Sequence, residues 1–164
     1  MKKTLLLVVA FTVMLSSCLS FQKSASVVHK GSGSGHNPSE SGEGMIKVAV
    51  YEYLVRNELY RATNAVFFVE LGEDDMSTLR SKLSEYRFKL EKEAERMRGV
   101  GVRDKATKSP GVILRCGKIQ FENNSARLFA GYRSSTVVVH EFVLSRDEGW
   151  HIIDVSGPGI LDLR

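Results

Sequence analysis

The pattern of apolar and polar positions changes twice in the first 44 residues. Apolar side chains fill positions 5–15 except Thr12, a run of 11 residues. A membrane-spanning helix needs roughly 20 apolar residues, so this run is typical of the apolar core of a secretion signal. Residues 19–44 have no apolar period, and Ser and Gly fill 12 of these 26 positions. We expect a tether here, because such a segment cannot bury enough apolar surface to offset its ordering entropy.

The pattern from residue 45 onward predicts one folded domain, residues 45–164. Apolar positions that include Ile46, Val50 and Leu54 recur near helical spacing and predict a helix over 45–62. The β-branched residues of that segment oppose this interpretation. Residues 65–71 form a short run rich in Phe and Val that ends at a glycine, which predicts a strand.

A second helix is predicted after this strand. Asp74 and Asp75 offer an N-cap, and Leu79 and Leu83 then follow at helical spacing. The pattern is compatible with two ends for this helix, near Tyr86 or near Met97. Residues 99–111, rich in Gly, Lys and Pro, are predicted to be a loop.

The remainder of the chain has β character. Four strands joined by short turns are predicted over residues 111–121, 125–133, 136–144 and 150–155. Consecutive strands with short connections form an antiparallel meander. The predicted class is therefore α+β, with two N-terminal helices and a short strand between them packed on a curved antiparallel sheet of four to five strands.

Charge and composition exclude some functions. Removal of residues 1–17, the predicted signal, takes away Lys2 and Lys3 and leaves 21 basic against 19 acidic residues. Such a small net charge does not support nucleic-acid binding. No zinc-ligand spacing, nucleophile elbow or phosphate-binding loop occurs in the sequence, so we expect no metal and no cofactor.

The end of the apolar run carries the clearest resemblance. Leu15-Ser16-Ser17-Cys18 resembles the lipobox of bacterial lipoproteins, in which the cysteine is acylated and becomes the new N-terminus. The resemblance implies that residues 1–17 are a signal peptide, that Cys18 is the lipid attachment site and that residues 18–44 tether the domain. Leu19 follows the cysteine where a retention signal typically has aspartate, which implies the outer membrane, facing the periplasm.

Two stretches of the domain carry a second resemblance. GVRDKATKSPGVILRCGKIQF followed by ARLFAGYRSS, and the later EFVLSRDEGWHIIDV, resemble small exported bacterial proteins of unknown function. The order of their elements is similar to cystatin-like and NTF2-like folds, and the resemblance covers Met45–Val155. Folds of this shape host enzymes, ligand carriers and adaptors, so the resemblance implies no catalytic residues.

The last predicted hairpin holds a candidate pocket. If Leu144 pairs with Trp150, His140 and Asp154 become cross-strand neighbours, with Trp150 farther along the same face. A histidine oriented by a carboxylate can act as a general base. A slip of one residue would place the two side chains on opposite faces. We expect a structural hydrogen bond between them, and we expect Trp150 to anchor the core of the hairpin.

Two further features have a plain and a sharper interpretation. Arg96, Arg98, Arg103, Lys105 and Lys108 form a local basic cluster, which is either a solvated loop or a contact for anionic headgroups or cell-wall polymers. Cys116 lies in a β-like run with no histidine nearby, so we interpret it as a small buried hydrophobe rather than a reactive thiol.

The expected function is non-enzymatic. We expect an envelope lipoprotein, held in the bilayer by acylated Cys18, whose domain binds a protein, a cell-wall component or another envelope component. The alternatives are an NTF2-like ligand-binding or catalytic cup that uses His140 and Asp154, and a passive structural lipoprotein. The concave face of the sheet discriminates between them, since a pocket of several hundred Å³ favours a ligand site.

Overall fold

A computed structural model describes residues 38–98 and 101–161. The predicted signal peptide, Cys18 and most of the predicted tether lie outside these residues. Helix α1 spans Pro38–Asn57 and helix α2 spans Glu73–Lys82. Helix α1 therefore includes residues 38–44, which the sequence pattern assigns to the tether. None of the described helices is long and apolar enough to cross a bilayer.

Nine strands form one mixed sheet. They are β1 (Val66–Val69), β2 (Arg87–Leu90), β3 (Ala94–Met97), β4 (Gly101–Asp104), β5 (Pro110–Cys116), β6 (Gln120–Glu122), β7 (Ser125–Arg133), β8 (Val137–Ser145) and β9 (His151–Leu161). A short 3₁₀ turn, Glu91–Glu93, connects β2 to β3.

The main path of the sheet runs β2-β1-β5-β7-β8-β9. Strand β1 is parallel to both of its neighbours, and Phe67 pairs with Phe88 of β2 and Val112 of β5. Strand β5 is antiparallel to β7, β7 to β8, and β8 to β9, as expected for the predicted meander. Strand β4 pairs with the start of β5 and with β3, and β6 pairs with the start of β7.

Both faces of β1 are buried, which explains its uninterrupted apolar sequence. Phe67 and Val69 pack into the main core with the helices. Val66 and Phe68 face the other way and pack with Val102 of the β3–β4 hairpin. The hairpin thus covers one end of the sheet face opposite the helices, which we call the open face.

The main core lies between the helices and the sheet. It is built from apolar side chains of both helices and of β1, β5, β7 and β8. Its largest fully buried members are Ile46, Tyr51, Leu54, Phe67, Leu79, Leu83, Leu114, Leu128, Phe142 and Leu144. Because side chains alternate along β7 and β8, every second residue of these two strands enters this core and the others lie on the open face.

The predicted fold class is wrong. The sheet is mixed and has nine strands, so it is not the four- to five-stranded antiparallel sheet of a cystatin-like or NTF2-like fold. The difference arises in residues 87–104, which form β2, β3 and β4 instead of helix and loop. Their Glu, Lys, Ala and Arg residues are good helix formers, but helix propensity is a weak prior. Pairing with the edge of β1, and between β3 and β4, overrides it.

Helix α2 also differs from its predicted bounds. Gly72 is its N-cap, while Asp74 and Asp75 lie in the first turn, where their charges favour the helix dipole. The helix ends at Lys82 and reaches neither predicted end. Tyr86 instead packs edge-on against Phe67, with ring centroids 5.7 Å apart.

Candidate functional site

The predicted contact between His140 and Asp154 does not form. Leu144 pairs with Ile152 rather than with Trp150, and a register shift places Asp154 opposite Val143. Paired side chains share a face, so Asp154 lies on the open face and is exposed. His140 lies on the helix-facing side and is buried. The candidate pocket of His140, Trp150 and Asp154 is therefore not assembled.

His140 contacts a different carboxylate, which sequence reasoning missed. Its Nε2 lies 2.8 Å from Oε1 and 3.0 Å from Oε2 of Glu58, in the turn after α1. Its Nδ1 is buried and has no hydrogen-bond partner among the described residues. The same Glu58 carboxylate also lies near Tyr132 of β7, and burial together with this negative charge raises the pKa of the Tyr132 hydroxyl. The contact joins the turn after α1 to β8, and a hydrogen bond between two such distant segments can stabilise their packing.

Trp150 lies at one end of the sheet and is half-buried rather than at the centre of the core. Part of its indole packs against the main core. The ring of Phe121 lies 5.9 Å from it, measured between centroids, and the Arg146 guanidinium lies 5.9 Å from the indole centroid. Trp150 thus belongs to a mixed aromatic and cationic surface.

Cys116 has the environment of an unreactive thiol. Burial raises its pKa to about 12, so the thiol is protonated at neutral pH. Its neighbour Tyr51 is buried as well, and burial raises the pKa of that hydroxyl. Because the thiolate is the nucleophilic form, this site does not favour covalent chemistry.

The open face carries a cavity of about 480 Å³ on β5, β7 and β8, beside the β3–β4 hairpin. We call it the arginine groove. Apolar side chains and a glycine line its floor, and three arginines stand around it. The floor residues are Ile113, Phe129, Gly131, Val137 and Val139, and the arginines are Arg96, Arg115 and Arg133.

Two features of β7 shape this groove. Phe129 is 59% exposed, an unusual position for a large aromatic side chain that contributes nothing to the core. Gly131 lies at the floor, where a Cβ atom would collide with the main-chain oxygen of Val138. The absence of a side chain at residue 131 therefore permits the close approach of β8.

The groove has an excess of positive charge. Glu91 accepts hydrogen bonds from Arg96, at 2.7 Å, and from Arg115, at 3.0 Å to Nε. The bond from Arg115 is the main cause that lowers the pKa of Glu91. Arg133 is exposed and forms no salt bridge with any described carboxylate. Two guanidinium groups therefore share the Glu91 carboxylate, and Arg133 is available to an anionic ligand.

The basic cluster seen in the sequence is largely neutralised in the structure. Arg103 and Lys108 both bind Glu95, at 2.8 and 3.1 Å. These hydrogen bonds, with that from Arg103 the larger, lower the pKa of Glu95 to about 2. Arg96 pairs with Glu91 as described above. Arg96 and Arg103 lie on the paired strands β3 and β4, whereas Arg98, Lys105 and Lys108 lie in exposed connections between strands.

Sequence reasoning missed the arginine groove because its residues share no local motif. Arg96, Arg115 and Arg133 belong to three different strands, and they meet because of the pairing of β3, β4, β5 and β7. The alternation in β7 did contain a signal, since Phe129 has the same parity as Arg127 and Arg133. In residues 38–98 and 101–161, no three His, Cys, Asp or Glu side chains are placed to hold a metal ion.

No family model, curated protein or solved structure matches the chain.

Proposed function

We propose that the protein is a lipid-anchored lipoprotein of a bacterial envelope whose domain binds an anionic ligand with an apolar body, without catalysing a reaction. The arginine groove is the observation that carries the binding part of this proposal. Its volume lies in the range of small-molecule sites, about 300–1,000 Å³. Its floor suits an apolar body, and its rim suits a carboxylate, phosphate or sulfonate.

The lipid anchor rests on the sequence of residues 15–18, which resembles a lipobox. A single acyl chain binds membranes only marginally, whereas two or more hold a protein stably, at about 0.8 kcal/mol per buried methylene. By the same resemblance, Leu19 favours the outer membrane. The anchored domain would meet its ligand at the periplasmic side of that membrane.

Binding is tested with 1-anilinonaphthalene-8-sulfonate, a fluorescent anion with an apolar aromatic body. We expect saturable binding to the folded chain, with Arg133→Gln weakening it by about tenfold, the equivalent of about 1.4 kcal/mol for one charge-assisted contact. Arg127→Gln is the matched control. Arg127 lies on the same strand and face but pairs with Glu141 at 3.0 Å and does not line the groove.

Three results would count against the groove as a ligand site. The first is an equal loss of dye affinity in Arg127→Gln and Arg133→Gln, and the second is an unchanged affinity in both variants. The third is an unchanged affinity in Val139→Asp, which introduces a negative charge at the floor. Both arginine variants replace exposed side chains, so their folding is checked by unchanged melting curves.

The anchor is tested separately by cell fractionation. Cys18→Ser should move the protein from the membrane fraction to the soluble fraction, while Cys116→Ser, at the chain's second cysteine, should leave it in the membrane. A Cys18→Ser protein that still sediments with membranes would refute the anchor. Density-gradient separation of the two membranes then tests the outer-membrane assignment.

A further inference from the structure

One end of the domain combines the entry of the chain with exposed aromatic side chains. The first turns of α1 pass beside Trp150, since a Cβ atom on Gly42 would lie 3.7 Å from the indole Nε1. Helix α1 begins at Pro38, 20 peptide steps after Cys18. Twenty residues span at most roughly 70 Å. The chain is therefore long enough to let this end of the domain reach a bilayer that holds Cys18.

The exposure of Phe121 at this end is not explained by folding. Phe121 is 48% exposed and lies in β6, a three-residue strand with no buried position. Its ring contacts Trp150, and Arg146 lies over the indole. We call Phe121, Arg146 and Trp150 the aromatic end. An apolar ring, an amphipathic indole and a guanidinium are the side chains that membrane–water interfaces favour.

We propose that the aromatic end rests in the headgroup region of the bilayer that carries the lipid anchor, and so orients the domain on the membrane. This inference depends on lipidation of Cys18, and it is independent of the arginine groove. Phe121 would enter the boundary with the acyl chains, and Arg146 would bind lipid phosphates. The contact needs no net positive charge.

Nearby acidic groups limit the kind of lipid that is needed. Glu122, Asp147 and Glu148 are exposed beside the aromatic end. Asp147 accepts hydrogen bonds from Asn124 and Ser145, at 2.6 and 2.7 Å. Carboxylates here oppose attraction to anionic lipid, so we expect contact with zwitterionic phosphatidylcholine and no gain from anionic phosphatidylglycerol.

Trp150 is the single tryptophan of the chain and therefore reports on this contact directly. The lipidated mature protein, which begins at Cys18, is reconstituted in phosphatidylcholine vesicles with or without bromine atoms on the acyl chains near the headgroups. We expect the brominated lipid to quench the tryptophan emission, and Phe121→Ser to lose half or more of that quenching. Adding phosphatidylglycerol should not increase it.

Tyr60→Ser is the matched control. Tyr60 is also an exposed aromatic residue, at 49%, with Arg61 over its ring, but it follows the opposite end of α1. We expect Tyr60→Ser to keep the full quenching. Absence of quenching in the wild type, or equal effects of the two variants, would overturn the proposal. Protein that does not sediment with the vesicles would overturn it too, whereas loss of dye binding at the groove would leave it intact.

Discussion

Single residues of this domain are placed by polar contacts made across the sequence. The contact between His140 and Glu58 joins residues 82 positions apart and fixes the turn after α1 on the sheet. His140 already has one buried ring nitrogen without a described partner. The site therefore depends on Glu58 for the hydrogen bonding of the other nitrogen.

Replacing Glu58 should therefore destabilise the fold in a graded way. We expect Glu58→Ala to lower the free energy of unfolding by about 1–3 kcal/mol, because it leaves Nε2 buried without an acceptor. Glu58→Gln keeps an amide oxygen and should cost less. Urea unfolding measures both variants, and equal stability of wild type and Glu58→Ala would contradict the structural role of this contact.

Asp104 provides a second such contact, within the β3–β4 hairpin. Its buried carboxylate accepts hydrogen bonds from the Thr107 hydroxyl, at 2.6 Å, and from Lys89, at 2.9 Å, and these bonds lower its pKa. A carboxyl whose pKa is lower in the folded than in the unfolded protein stabilises the fold above its unfolded pKa of about 3.9. That stabilisation is lost as the pH falls through the folded value.

Asp104→Asn should thus lower the melting temperature at pH 7 and flatten its dependence on pH. The difference in melting temperature between wild type and variant should shrink as the pH falls below about 4, because protonation of Asp104 removes the stabilisation that its charge gives the wild type. Thermal melts at a series of pH values test this. A difference that stays constant down to pH 2 would show that the charge of Asp104 contributes nothing.

At the scale of elements, the β3–β4 hairpin explains most of the departure from the predicted fold. Val102 is 5% exposed and packs with Phe68 and Ile113 on the open face of the sheet. We expect Val102→Ala to cost about 1.5–2.5 kcal/mol, from the lost methyl groups and the cavity left behind. Val143→Ala, on the uncovered part of the same face, should cost less. Equal costs would show that the hairpin does not cover the sheet.

The sequence predicted elements well where a local pattern coincides with the tertiary one. Strand β7 covers the predicted residues 125–133, and β8 differs from its prediction by one residue at each end. In both strands buried residues alternate with more exposed ones because only one face packs into the core, so the local sequence alone indicates a strand. The prediction for residues 87–97 was wrong because their composition favours a helix. These residues form strands only because β2 pairs with β1 and β3 pairs with β4. No local pattern shows which edges are open.

The candidate site was harder to predict for a related reason. The last hairpin has a turn that runs to Trp150 and a register shift between Val143 and Leu144, and together they separate His140 from Asp154. A bulge of one residue reverses the face of every later side chain. The arginine groove needs the pairing of several strands, so its residues were visible in the sequence but their proximity was not.

At the scale of the whole molecule, the sheet has a helix-covered side that forms the core and an open side that holds the arginine groove. The aromatic end lies where α1 enters the domain. In an anchored protein with this arrangement, the groove would lie on the face opposite the helices and would have a defined orientation to the membrane. If the aromatic end rests on the membrane as proposed, the start of α1 would mark the boundary between tether and domain.

Two shortened chains locate that boundary. The sequence pattern places the end of the tether at residue 44, whereas α1 begins at Pro38 and passes Trp150 at Gly42. A chain that begins at Pro38 should melt within a few degrees of the mature chain. A chain that begins at Gly44 lacks the first turns of α1, so it should lose about 1 kcal/mol from partial exposure of a large aromatic side chain.

The emission of the single tryptophan distinguishes these two chains more directly than stability does. We expect a red shift for the chain that begins at Gly44, because removal of residues 38–43 uncovers one side of the indole, and no shift for the chain that begins at Pro38. Phe121→Ser in the longer chain is the control, since it removes a ring that contacts Trp150 without shortening the helix. Identical emission from both shortened chains would show that α1 does not cover Trp150, and it would remove the geometric basis for placing the aromatic end beside the anchor.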